Sequence, residues 1–310
     1  MTGRRRFLPL LALVVIWVVW GSTYLAIRVV VREMPPFAAA CLRFGGAGVV
    51  LAAISYALDR KQGWPTPRQW LDYGLVGVLL LAGGNALVMW SERTIPSGIA
   101  ALIVGTVPVW LVLLDGLRPG GQPGTPRVWA GAILGLVGVG LVAGPGTGGW
   151  GPHWKGIAAL QFASVSWSFG ALYAKAIVKR LPVLTASAVE MVVGALALFA
   201  ESRLVGEDVH AFAVASSTAW GGLVYLAVFG SLVGFTAFAY CLNELPASTV
   251  GTYAYVNPVV AVLLGWLILG EPLSAGLLTG GALILVSVLL TTASFKPRPA
   301  PSAEAKEAAA

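Results

Sequence analysis

Charge is scarce in this sequence. Only 11% of its 310 residues are charged and 57% are apolar, whereas about a quarter of residues are charged in an average soluble domain. A chain with so little charge cannot clothe a water-soluble globule of its length, so most of its outer surface must face lipid. Cysteine and histidine are nearly missing, with two of each. Cys41 and Cys241 each fall inside an apolar run, which excludes a disulfide framework and reads as buried thiols. His153 and His210 lie in connecting segments with no ligand or nucleophile at motif spacing, so neither a metal centre nor a nucleophile–base pair is in prospect. No Gly-x-x-x-x-Gly-Lys-Ser/Thr loop is present, which removes an ATP-driven motor, and no cofactor motif replaces it. Together these absences argue against an enzyme. The basic excess, a formal net charge of +7, sits between apolar runs and at the two ends, so it reads as a topology signal and not as a nucleic-acid face.

What the sequence does have is apolar runs of bilayer length. Ten spans are expected, at about 8–31, 37–58, 70–91, 97–117, 127–144, 156–178, 183–205, 218–241, 247–270 and 273–294. The run Leu8 to Val31 after Arg4, Arg5 and Arg6 is too long for a secretory signal and lacks a small-residue cleavage site, so it is the first span. With the N-terminus inside, thirteen Lys and Arg fall in the cytoplasm: Arg4, Arg5, Arg6, Arg60, Lys61, Arg68, Arg118, Arg127, Lys179, Arg180, Lys296, Arg298 and Lys306. Four fall outside, namely Arg32, Arg93, Lys155 and Arg203. That asymmetry places both termini in the cytoplasm. The stretch after Lys296, rich in Pro, Ala and charge, has nothing to bury and reads as a mobile cytoplasmic tail, residues 296–310.

The chain repeats itself. Glu244 to Leu273 holds Pro246 and Pro258, and Thr94 to Leu114 holds Pro96 and Pro108, at a constant offset of 150 residues. Pro258 and Pro108 lie deep in their spans, where proline withdraws an N–H and frees a carbonyl that lipid cannot satisfy. Thr252, Tyr253, Tyr255 and Asn257, just ahead of Pro258, offer to cover it. Trp20 with Trp167, Arg28 with Lys175, and Arg43 with Glu190 correspond at an offset of 147, while Gly84 with Gly234 and Trp90 with Tyr240 correspond at 150. The units are therefore residues 1–145 and 146–295, five spans each. An odd number of spans makes the second unit start from the opposite side, so the fold class expected is an all-α integral membrane protein with two inverted five-helix repeats.

This doubled pattern of paired prolines, followed by Gly270-Glu271-Pro272-Leu273, resembles the EamA-type branch of the drug/metabolite transporter superfamily. The likeness covers about residues 8 to 294, and within the superfamily it extends to the YddG-like bacterial aromatic amino-acid exporters. It departs from the family pattern in the first half, where Gly121 stands opposite Glu271. The resemblance implies ten helices and a carrier of small metabolites across the inner membrane.

The side chains at depth supply candidates for a site. Trp17, Trp20 and Tyr24 in the first span, Asn85 and Trp90 in the third, Trp167 in the sixth, and Tyr253, Tyr255 and Asn257 before Pro258 form an aromatic and polar set suited to substrate binding. Helix packing is the alternative role for each of these aromatics. Trp64, Trp70, Trp129, Trp150, Trp154 and Trp220 fit an interfacial belt instead. Arg43, Lys175 and Glu190 are ionisable groups within spans and are candidates for gating or coupling. For Arg28 and Lys175 the alternative is snorkelling to an interface, and for Arg43 and Glu190 it is bonding to a helix end or a neighbour. The expected partners are the lipid bilayer and a small-molecule substrate, an amino acid or related metabolite. A phosphorylated or organic-anion substrate is the alternative within transport. An intramembrane enzyme or a structural protein is the alternative outside it.

Overall fold

The computed structural model describes residues 4–58, 63–117, 125–144, 150–177, 180–245, 247–250 and 252–293. The tail from Lys296, the 145–146 boundary between the two units, Pro246, Gly121, and Arg60, Lys61, Arg118 and Lys179 lie outside these residues. The described residues are helical, with no strand among them. In chain order they form α1 (Arg4–Val31), α2 (Pro36–Leu58), α3 (Pro67–Gly77), a π-helical stretch Val78–Ala86, α4 (Leu87–Ser91), α5 (Ser97–Val104), α6 (Val107–Leu117) and α7 (Pro126–Val142). There follow α8 (Trp150–Ala176), α9 (Val183–Leu204), α10 (Ala211–Val214), α11 (Ser217–Tyr225), a second π-helical stretch Leu226–Val233, α12 (Gly234–Glu244), α13 (Ala247–Val250), α14 (Tyr253–Leu269) and α15 (Ala275–Ala293). Among the described residues, seven helical segments are long and apolar enough to cross a membrane, and three shorter apolar helices, Pro126–Val142, Tyr253–Leu269 and Ala275–Thr291, accompany them.

Local chemistry sets several of the boundaries. Pro67 takes the first position of α3, where its missing N–H is no loss, and Thr66 and Gln69 close a reciprocal capping box around it. Gly270 ends α14 at φ 68°, a left-handed conformation that favours glycine, and Glu271 N–H turns back to the Gly265 carbonyl at 3.0 Å. Three glutamates cap helices that are distant in sequence. The Glu271 carboxylate accepts from Ser97 N–H at 2.8 Å and Gly98 N–H at 3.2 Å at the start of α5. Glu207 accepts from Phe37 and Ala38 N–H at the start of α2, and Glu33 accepts from Ser216 N–H and hydroxyl ahead of α11. Each places negative charge on free N–H groups at the positive end of a helix.

The two proline helices break differently. The span from Ser97 to Leu117 is interrupted at Gly105 and Thr106, directly ahead of Pro108, and the Thr106 hydroxyl donates to the Ile103 carbonyl at 2.7 Å. In the second half the interruption falls six residues ahead of Pro258, and Pro258 itself sits within α14. The span expected at 70–91 is continuous but carries the π-helical widening in its middle, at a position matched by the stretch Leu226–Val233.

Packing follows the repeat. α2 lies along α9 and α7 along α15, each pairing equivalent elements of the two halves. The first π-helical stretch packs on α8, and the second packs on α1, the equivalent of α8. Glycine makes the α7–α15 contact possible. A Cβ at Gly138 would stand 2.8 Å from the Gly280 carbonyl, and one at Gly280 would stand 2.6 Å from the Gly138 carbonyl, so the two backbones touch there. Ser287 adds a hydroxyl bond to the Gly131 carbonyl at 2.6 Å. Trp64, Trp129, Trp154 and Trp220 are exposed on the outside, as an interfacial belt requires.

Candidate functional site

Close approach of α1 to α14 starts the site. Gly21 has no side chain to keep the helices apart, and a Cβ there would lie 2.6 Å from Val260 Cβ and 3.2 Å from the Asn257 carbonyl. The contact brings Trp20 beside Tyr253, with ring centroids 5.4 Å apart at 90°, and beside Phe235 and Phe238 at 5.6 and 5.1 Å. Trp20 Nε1 donates to the Gly230 carbonyl at 3.2 Å, which gives the half-buried indole a polar partner. Its counterpart Trp167 also rests on a glycine. A Cβ at Gly84 would come 3.1 Å from Trp167 Cε3, and one at Gly234 would come 2.9 Å from Trp20 Cδ1. Glycines that match at an offset of 150 thus seat tryptophans that match at 147.

Between them lies a cavity of about 110 Å³, several times the roughly 10–15 Å³ that one water occupies by the same measure. Its wall draws on both halves: Trp20, Thr23, Tyr24, Arg43, Gly84 and Asn85 from the first, Trp167, Phe235, Tyr253, Ala254, Asn257 and Pro258 from the second. Val104 and Ala254 also line it. These are the residues four before Pro108 and Pro258, so theirs are the carbonyls whose helical N–H partner the prolines remove. With its amide turned to donate, Asn257 reaches the Trp17 and Tyr253 carbonyls, both at 3.2 Å.

Of the nine residues expected to bind substrate, the structure brings Trp20, Tyr24, Asn85, Trp167, Tyr253 and Asn257 to this cavity. The other three turn elsewhere. Trp17 Nε1 donates to Thr252 Oγ1 at 3.2 Å and its ring packs with Leu13, Ile16 and Val250. Tyr255 donates to the Val288 carbonyl on α15 at 3.3 Å, and Trp90 packs on the main apolar core. Tyr255, two residues after Tyr253, is turned to another face of α14, whereas Trp17 shares the face of Trp20 and lies one turn nearer the start of α1, off the cavity wall. Of the three ionisable groups, Arg43 lines the cavity, whereas Lys175 is exposed near the end of α8 and Glu190 is half-buried on α9 and off the cavity wall. Gly77 packs against the Glu190 main chain. Arg43 and Glu190 form no ion pair, and the one ion pair among the described residues is Arg68–Asp72.

Sequence reasoning missed two things here. Thr23 and Phe235 line the cavity, and the signal for Thr23 was its place between Trp20 and Tyr24 on the same helical turn. Glu92, just beyond the span expected at 70–91, is fully buried, and neither carboxylate oxygen has a hydrogen-bond partner. Arg28 donates to the Glu92 main-chain carbonyl and not to its carboxylate. Burial first, and then the nearby Glu271, push the Glu92 carboxyl well above the ordinary carboxylate range, against a smaller opposing pull from Arg28. Among the described residues, no group of three His, Cys, Asp or Glu side chains comes together to hold a metal ion.

Comparison with known proteins points in one direction. The chain is 37% identical over 295 residues to "Uncharacterized inner membrane transporter YedA" of Escherichia coli (strain K12), covering 94% of this chain and 93% of that one. It is 27% identical over 279 residues to "Probable terminal-alkyne amino-acid exporter" of Streptantibioticus cattleyicolor, covering 90% and 91%. A solved crystal structure superimposes with a TM-score of 0.61 at 21% identity, over 94% of this chain and 98% of that one. The EamA-like transporter family matches twice, at residues 7–144 and 154–293. This chain therefore belongs to the EamA-like transporter family, as a multi-pass inner membrane transporter.

Proposed function

We propose that the protein is a secondary carrier that exports amino acids, aromatic ones included, across the inner membrane by alternating access. The observation that carries this reading is the cavity itself. It sits where the two family-matched halves meet, and its wall combines Trp20, Trp167, Tyr24 and Tyr253 with the amides of Asn85 and Asn257. Aromatic faces hold an apolar side chain, and the amides and the carbonyls of Val104 and Ala254 orient its polar end. A relative named as an amino-acid exporter supports the substrate class.

The carrier has ten spans, two inverted five-helix repeats over residues 1–145 and 146–295, and both termini in the cytoplasm. The swapped glycine–tryptophan contacts and the exchange-symmetric helix pairing support that plan, because rocking one half against the other then opens equivalent gates on the two sides. A phosphorylated substrate fits poorly. Arg28 and Lys175 stand away from the cavity, and Arg43 alone is too little charge for a phosphate dianion.

Uptake of a labelled amino-acid panel into proteoliposomes, with and without a pH gradient, tests the reading. The expected result is amino-acid flux that organic phosphates do not compete. Flux of phosphates alone would refute it. A gradient effect lost in Glu190→Gln makes Glu190 the coupling group, and one that survives there and disappears in Glu92→Gln assigns coupling to Glu92.

A further inference from the structure

The cavity wall holds one charge without a countercharge. Arg43 is 3% exposed, about two turns into α2. Its Nε donates to Ser231 Oγ at 3.0 Å, its guanidinium lies over the Phe44 ring at 4.5 Å, and it rests against Gly230, where a Cβ would come 3.1 Å from a terminal nitrogen. The other terminal nitrogen is buried without a hydrogen-bond partner. No Asp or Glu pairs with Arg43 among the described residues. The groups around it are neutral: Thr23 and Trp20 from α1, Gly230 and Ser231 from the second π-helical stretch, and Tyr24, Asn85, Tyr253 and Asn257 across the cavity.

An arginine stays charged, and removing a charge from water costs several kcal/mol unless a partner compensates. One serine hydroxyl and one aromatic face replace only part of that hydration. Arg43 lines the cavity, so an anion held there can reach its guanidinium. We propose that Arg43 is the carboxylate subsite of the cavity, so that the carrier selects amino acids and related monocarboxylates and rejects the corresponding decarboxylated amines. This deepens the amino-acid reading and rests on it. The planar guanidinium matches a carboxylate in shape as well as in sign. A bound zwitterion would set its carboxylate on Arg43 and its ammonium toward the acceptors Val104 and Ala254 across the cavity. A free amine would instead bring a second positive charge into an enclosed site that already holds one, with no acid to offset either.

The test compares phenylalanine, 3-phenylpropionate and phenethylamine, which share a phenyl ring on a short chain and differ in their charged groups. In wild-type proteoliposomes, phenylalanine flux should be competed by 3-phenylpropionate and exceed phenethylamine flux by roughly 100-fold or more, the scale of about 3 kcal/mol for an uncompensated buried charge. Arg43→Gln should lower phenylalanine flux at least about tenfold, and Arg43→Lys should retain more of it than Arg43→Gln does. Equal transport of phenylalanine and phenethylamine by the wild type overturns the subsite while leaving the carrier reading intact. Amine flux that requires chloride also overturns it, because an inorganic ion is then the partner of the guanidinium. Absence of flux for every amino acid tested refutes the carrier reading, and the subsite with it. The wild-type comparison decides the matter even where a variant fails to fold.

Discussion

Replacing Glu271 removes a carboxylate that joins the end of α14 to the start of α5. One oxygen accepts from Ser97 N–H at 2.8 Å, and the other accepts from the Ser97 hydroxyl at 2.9 Å and Gly98 N–H at 3.2 Å. Charge-assisted hydrogen bonds contribute about 1.5–3 kcal/mol each, and charge at a helix N-terminus adds about 0.3–1 kcal/mol. The simple sum overstates the loss, because the site borders an open groove and water can reoccupy it. Glu271→Ala should therefore destabilise the protein by about 2–4 kcal/mol, or lower the unfolding midpoint by roughly 5–10 °C. Glu271→Gln should recover little, since its amide presents an N–H group to donors already in place. Thermal unfolding of detergent-purified protein, followed by tryptophan fluorescence, measures this. A loss below about 0.5 kcal/mol for both variants would refute the cap, and with it the structural role given to the Gly-Glu-Pro-Leu motif.

Other consequences are as direct. Gly138→Val places a branched side chain against the Gly280 carbonyl and should cost about 1–3 kcal/mol, whereas Gly46→Val, where a Cβ meets nothing, should be near neutral by the same unfolding assay. Glu33, between the first two spans, is held below the ordinary carboxylate range by Ser216 N–H and then by the Ser216 hydroxyl. Its contribution is complete above the unfolded value near about 4.3 and is lost as pH falls through the lower folded value. The stability difference between wild type and Glu33→Gln should thus shrink on acidification from neutral pH, and a difference that stays flat would contradict the bond. A phosphatase reporter fused after Ser294 should be inactive, and a β-galactosidase reporter active, because the proposed topology leaves that end in the cytoplasm.

The composition made the helical membrane architecture legible, and helix placement followed from apolar run lengths alone. Trp20, Tyr24, Asn85, Trp167, Tyr253 and Asn257 emerged as candidates because polar and aromatic groups at depth require an interior face. Trp17 and Tyr255 satisfied the same criterion, yet each finds its polar partner on a neighbouring helix, and composition cannot say which way a helix turns. Glu92 was hidden for a different reason. Its surroundings are set by Arg28 of α1 and Glu271 of the far half, and nothing within its own segment distinguishes it from a loop acid. The asymmetry of the two proline breaks was also invisible, because identical proline spacing leaves the position of the interruption to Thr106 in one half and to the residues around Thr252 in the other.

The central claim is that an amino acid crosses through the cavity between the halves. Ala101 lines that cavity and is 1% exposed, so Ala101→Phe fills it without touching a lipid-facing surface. Flux of labelled aromatic and aliphatic amino acids would be measured in proteoliposomes holding equal amounts of monodisperse wild-type or Ala101→Phe protein. Wild-type flux that the substitution abolishes is the predicted result. Equal flux through both proteins, or none through the wild type, would contradict it.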